Sequence, residues 1–163
     1  MKLYFKQAWF SMRQKTDVFD AQGNIIYTAQ ADFPSFGRKM HIYDSYQREV
    51  GYVCQQLFRF KPRFSVYVDG QYLADIVKDI TFFRQSFRLE GIDWIVEGDF
   101  GCHDYEILSN GRRIASIHKK WFSLGDAFEI DIVRPEDVIP VLGVVIAIDC
   151  VLEDAENSSS TTI

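Results

Sequence analysis

Cysteine is scarce in this chain: Cys54, Cys102 and Cys150 are the three present, odd in number and far apart. No CxxC pair occurs, so neither a disulfide framework nor a zinc knuckle is supported, and a reducing compartment is expected. A charged region leading into an apolar run is also missing, because Met1 to Phe10 alternates polar and apolar residues. That is not the pattern of a signal peptide, and the cytoplasm is the expected location. The sequence has no Gly-x-Ser-x-Gly elbow, Walker loop, His-Glu-x-x-His or Gly-x-Gly-x-x-Gly, so no motif names a reaction. An excess of positive charge is lacking too. The 18 Lys and Arg against 23 Asp and Glu give a formal charge of −5, which argues against a nucleic-acid partner. The acidity is concentrated late in the chain. From Asp126 onward nine acids face one base, whereas residues 1–125 carry 17 bases and 14 acids.

What is present describes a globular β protein. A chain of 163 residues is the size of one domain and buries roughly 70% of its unfolded surface. Its 47% hydrophobic and 25% charged residues exclude disordered and collagen-like classes. The 14 Phe and 8 Tyr favour strands. Turn signals recur every two dozen residues or so, at Gln22-Gly23-Asn24, Tyr46-Gln47, Asp69-Gly70, Glu90-Gly91 and Asn110-Gly111. Between hairpins lie aromatic connections, Phe33-Pro34-Ser35-Phe36-Gly37, Phe58-Arg59-Phe60-Lys61-Pro62 and Trp121-Phe122-Ser123-Leu124-Gly125. Strict alternation confirms the strands, as in Phe64, Val66 and Val68 against Arg63, Ser65 and Tyr67. About twelve short antiparallel strands are expected, each with one wet face.

The last part departs from alternation. Pro135-Glu136-Asp137 reads as a helix start, followed by an apolar run from Val138 to Ile148 and then Asp149-Cys150-Val151-Leu152. Such a run must be buried on all sides. A buried strand is the rival, since Val and Ile dominate and Pro140 suits a helix interior poorly. The length of the run favours a helix, and it is too short for a membrane span. Asp149 is expected near a barrel mouth or paired with an inward Arg, because a lone buried carboxylate is costly. The single domain is read as residues 1–153, with 154–163 a polar tail without fixed structure. Twelve strands with one apolar face would close into a barrel too wide for side chains alone, and the helix would fill it.

Several segments resemble the LURP-one-related family. They are Met1-Lys2-Leu3-Tyr4-Phe5-Lys6-Gln7, Ile76-Val77-Lys78 with Phe82-Phe83, Trp94-Ile95-Val96-Glu97-Gly98-Asp99-Phe100, Asp104-Tyr105-Glu106-Ile107, Ile114-Ala115-Ser116-Ile117 and Ala147-Ile148-Asp149-Cys150-Val151. The resemblance implies a barrel of about twelve strands around a hydrophobic helix, as in the tubby C-terminal domain and the phospholipid scramblases. It also implies lipid contact, by way of those relatives. No functional residue carries over from it, because fold alone does not assign activity.

Candidate chemistry rests on three groups of residues. The cluster Glu97-Gly98-Asp99-Phe100-Gly101-Cys102-His103-Asp104-Tyr105-Glu106 could hold a metal, but its spacing fits no zinc or EF-hand pattern, and a solvated hairpin turn is expected. Cys102 with His41, His103 or His118 could form a nucleophilic pair, whereas Cys54 and Cys150 read as core residues. Basic residues among aromatics are the third. In Phe58-Arg59-Phe60-Lys61-Pro62-Arg63-Phe64 and Phe83-Arg84-Gln85-Ser86-Phe87-Arg88, cations and Phe fall on opposite parities. Arg59, Lys61, Arg63, Arg84 and Arg88 are therefore candidates for lipid phosphates. The expected function is a non-enzymatic module for anionic phospholipid or a membrane surface, without metal or cofactor. The alternatives are a scaffold for an unknown protein partner, using the barrel face or the acidic tail, and a metal-dependent or Cys/His enzyme.

Overall fold

The structure, a computed structural model, describes residues 1–6, 15–32, 34–79, 86–122 and 125–160. Twelve strands follow one another: β1 Lys2–Lys6, β2 Lys15–Phe19, β3 Ile25–Ala31, β4 Lys39–Asp44, β5 Glu49–Gln55, β6 Arg63–Val68, β7 Gln71–Asp79, β8 Ser86–Glu90, β9 Ile95–Asp99, β10 Asp104–Ser109, β11 Arg112–Phe122 and β12 Gly125–Ile132. Each pairs with its successor, and β12 returns to β1, with Leu3 opposite Ile130 and Phe5 opposite Phe128. The barrel expected from alternation is thus closed, and none of the twelve described strands is left as a sheet edge. Strand parity decides the lining: Leu3, Val18, Ala29, Ile42, Val53, Phe64, Val66, Ile76, Ile107, Ile117 and Ile130 are all buried within it.

A short 3-10 turn, Pro135–Asp137, leads into α1, Val138–Ser160. The apolar run is a helix, and the physical reason lies in the backbone. A strand inside a closed barrel would find no edge to bond, whereas a helix satisfies its own N–H and C=O groups. Pro140 falls in the first turn, where its missing N–H has no intrahelical acceptor to lose. The helix continues through Ser160, so residues 154–160, assigned to the tail from sequence, extend it.

The helix does not sit centrally. It packs most closely on β6, then on β5 and β7. Gly143 permits this approach, since a Cβ there would meet Val66 Cγ1 at 2.5 Å. On the opposite side large aromatics fill the wider gap, among them Phe5, Phe100, Tyr105 and Phe128, all buried.

The two barrel ends differ. At the end where α1 enters lie the tight polar turns, with Asp69, Asn110 and Gln47 in left-handed backbone. At the other end lie connections 32–38, 56–62 and 100–103 and the C-terminal half of α1.

Gly143→Ala tests the close approach. Added bulk in a packed core destabilises by about 1–3 kcal/mol, against roughly 1 kcal/mol gained from helix propensity. Urea unfolding should show a net loss that Val66→Ala in the same chain partly restores. A Gly143→Ala protein more stable than the wild type would refute the tight packing.

Candidate functional site

Cations on the barrel wall are the first group nominated by the sequence. Arg63 on β6 pairs with Asp75 on β7 at 2.8 Å and with Glu90 on β8 at 2.9 Å. Arg88 reaches Glu90 at 2.9 Å and Asp79 at 3.8 Å, and Lys61 holds Asp79 at 3.1 Å. Asp75 is buried and also accepts from Ser65 Oγ at 2.6 Å. Lys61, Arg63 and Arg88 thus join three carboxylates in a network of no net charge. The carboxylates come from β7, which follows β6 through the Asp69-Gly70 hairpin, and from β8 beyond it, and the register between these strands is what brings them to the cations. Arg84 lies outside the described residues.

The segment Phe58 to Pro62 is the connection its sequence suggested, and it does not form the extended cationic face that opposite parities would give. Strand β6 begins only at Arg63. Phe58 has φ of 59°, left-handed backbone that ends extension and turns the chain outward. Phe64 is buried, but Phe58 and Phe60 are 94% and 95% exposed. Phe36 from the neighbouring connection is 76% exposed, with its ring 6.3 Å from that of Phe58. Leu57 packs beneath them against Gly37, whose φ of 82° and close contact admit no larger residue easily. The result is an apolar projection at one mouth of the barrel. Arg59 stands within it, its Nε 3.2 Å from Gln56 Oε1, and Lys61 flanks it. Contiguous exposed apolar groups of this kind are candidates for contact surfaces.

Beside the projection, Arg38 ties the mouth to α1. Its guanidinium donates to Glu153 at 2.6 Å and lies 2.9 Å from Asp154. Two acids of the late acidic run are therefore engaged within the chain. On the outer wall a row of rings crosses four strands: His41 to Tyr52 at 4.8 Å, Tyr52 to Tyr67 at 5.9 Å and Tyr67 to Tyr72 at 5.8 Å. The sequence reading missed this row, although the parity of Tyr52 and Tyr67 pointed to the wet face.

The turn between β9 and β10 is in part the expected solvated one. Glu97, Asp99 and Asp104 are exposed, and Asp99 Oδ1 accepts the Cys102 N–H at 3.0 Å. Phe100 and His103 depart from it. Phe100 is buried, and His103, at φ of 51°, lines an interior cleft with Phe5, Tyr105, Ile117, Phe128, Ile130, Val145 and Asp149. The cleft has room for about a single water molecule. Among the described residues Asp149 meets no arginine: Arg38 engages the next turn of the helix, and His103 Nδ1 lies 3.7 Å from Asp149 Oδ1. Burial pushes the Asp149 carboxyl well above the usual carboxylate range, and Glu153 adds to the shift.

None of the three thiols is activated. Hydrogen bonding to Asp99 raises the pKa of Cys102, burial raises that of Cys54, and burial pushes Cys150 up to about 12. A reactive cysteine requires the opposite shift. His41 is engaged with Glu49 at 2.6 Å and Asp32 at 3.2 Å, and His118 with Asp104 at 2.6 Å. Among the described residues no group of three His, Cys, Asp or Glu is arranged to hold a metal, and no helix is long and apolar enough to cross a membrane.

Comparison with known proteins agrees with the barrel. The chain is 26% identical over 159 residues to the uncharacterised protein YxjI of Bacillus subtilis (strain 168), covering 98% of each. An X-ray structure of an Arabidopsis thaliana protein superposes with a TM-score of 0.66 at 15% identity, over 92% of this chain and 90% of that one. Residues 1–149 match the LURP-one-related family, nearly the span of the whole barrel and its helix, and the chain belongs to that family.

Proposed function

We propose that the protein is a non-enzymatic module that docks one barrel mouth on a membrane surface. Phe36, Phe58 and Phe60 enter the head-group region, and Arg59 and Lys61 at their rim contact lipid phosphates. The observation that carries this reading is the exposure of Phe58 and Phe60 at 94% and 95%, on a turn that holds both rings away from their own core. A Phe side chain taken fully from water contributes about 1.5–3 kcal/mol, so three such rings are enough for reversible attachment. Arginine adds bidentate contact with phosphate. The resemblance to barrels whose relatives contact lipid points the same way, and the raised thiol pKa values argue against Cys chemistry. Arg63 and Arg88 are assigned to the wall network rather than to lipid; Lys61, 40% exposed and held in that network by Asp79, exchanges this carboxylate for a lipid phosphate on docking, and Arg84 remains a candidate from sequence.

A second reading, a protein-interaction scaffold, is favoured by the outer row of Tyr52, Tyr67 and Tyr72, because aromatic residues concentrate at protein interfaces.

Co-sedimentation with neutral, anionic and phosphoinositide-containing vesicles at low and high salt separates these readings. The Phe58→Ala/Phe60→Ala protein should lose affinity for every vesicle by about tenfold or more. Arg59→Gln with Lys61→Gln should weaken only the anionic binding and reduce its salt dependence. Arg63→Gln, by contrast, leaves Asp75 buried without its cation and should lower thermal stability by about 1–3 kcal/mol while sparing vesicle binding. A wild-type protein that binds no vesicle would overturn membrane docking and leave the tyrosine row as the surface to pursue.

A further inference from the structure

The interior cleft holds polar groups that membrane docking does not use. Asp149 is 6% exposed and Tyr105 1%, and among the described residues neither Asp149 Oδ1 nor the Tyr105 hydroxyl has a hydrogen-bond partner. Buried oxygens without partners are rare, and each calls for a physical explanation. Both face the side of the barrel that α1 leaves open by leaning on β6. Val145 and Asp149 stand one turn apart on α1, so they present one face of the helix to this cleft.

The surroundings of Asp149 can be taken element by element. From β1, β11 and β12 come only the apolar Phe5, Ile117, Phe128 and Ile130. β10 contributes the Tyr105 hydroxyl. The turn before β10 contributes the imidazole of His103, held against the Phe128 ring at 4.7 Å, and His103 also interacts electrostatically with the exposed Asp99 of the same hairpin. On α1 itself Glu153 is the charged neighbour, and Arg38 engages it at 2.6 Å. Cys150, the next residue, has a thiol pushed up to about 12, so it stays neutral. Among the described residues no lysine or arginine pairs with Asp149, and His103 at 3.7 Å is its basic neighbour.

We propose that Asp149 and His103 form a one-proton latch, which holds the C-terminal half of α1 in the barrel mouth and releases it when that proton is lost. While the pair holds one proton it is neutral as a whole, either as carboxylic acid facing imidazole or as carboxylate facing imidazolium. Loss of that proton to solvent leaves a carboxylate facing a neutral ring, among apolar walls that cannot solvate it. The charge is relieved when the helix end moves outward and water reaches Asp149. The sign follows from linkage. A carboxyl raised by burial contributes stability that is complete below the unfolded value and is lost as pH rises through the folded one. The hydroxyl of Tyr105, pushed well above its ordinary value by burial, stays protonated throughout. The latch does not rest on membrane docking: its groups lie across the mouth from the phenylalanines, and α1 meets the docking side through Arg38 alone among the ion pairs of the described residues.

Hydrogen exchange of the segment 145–154, corrected for intrinsic rates between about pH 5 and pH 9, reads the latch directly. Opening in the wild type should rise with pH, by up to about tenfold per unit where the proton leaves. In Asp149→Asn, which is neutral at every pH, the profile should be flat, and the protein should melt higher than wild type at neutral pH but not near pH 4. An Asp149→Asn protein that keeps the wild-type profile would overturn the proposal. A second measurement needs no variant: carbon NMR of the Asp149 carboxyl and proton NMR of the His103 ring should move with shared midpoints, as coupled groups do. A carboxyl that titrates in the ordinary range, or a ring that titrates independently of it, would overturn the latch equally.

Discussion

The rest of the structure depends on how the inside of a twelve-stranded barrel is filled. Side chains from the wall cannot meet across so wide an interior, so the strands alone would enclose a void. A helix is the one element of the chain that can enter, because it needs no backbone partner. It must also be apolar around its whole circumference, and from Val138 to Leu152 nearly every residue of α1 is buried or half-buried. Closure of β1 on β12 and insertion of α1 therefore belong to one cooperative core. Strand pairing provides the cavity, and the helix removes the water from it.

The position of the helix shapes both the interior cleft and the barrel mouth. Because Gly143 brings α1 against Val66, the far side of the barrel has space to fill. Phe5, Phe100, Tyr105 and Phe128 take most of it, and the remainder is the cleft in which Asp149 and His103 face each other. At the same mouth Arg38 fixes the emerging helix to the connection that bears Phe36. One end of the barrel thus collects an exposed apolar projection, an ion-paired helix exit and a buried carboxyl. The other end is closed by short polar turns. The asymmetry follows from chain direction: every second connection falls at each end, and the aromatic ones share a parity.

The wall cations show where local sequence misleads. Alternation correctly places Arg63 and Arg88 on the wet face. It is silent about the strand between them, which supplies Asp75 and Asp79 and cancels their charge. The Phe58–Arg59–Phe60 segment is legible as a connection, but not in the direction it takes. Its alternation imitates a strand, while left-handed backbone at Phe58 makes it a projecting turn. Non-glycine residues in that conformation are uncommon, so composition gives no warning of it. His103 was hidden for the same reason, in a turn whose acids do face solvent.

By itself the sequence determined the strands, their hairpin turns, the barrel and the helix inside it. Those features follow from periodicity and from dipeptides with fixed conformational preferences, and both are local properties of the chain. It also marked Asp149 as a carboxylate in an apolar run. Tertiary structure alone decided which partner that carboxylate would face, because Arg38 and His103 lie far from it along the chain and only closure of the barrel brings them to the helix. It decided equally that Arg63 would be neutralised and Phe58 exposed. Charge compensation depends on strands that are neighbours in space, and exposure depends on where the wall ends.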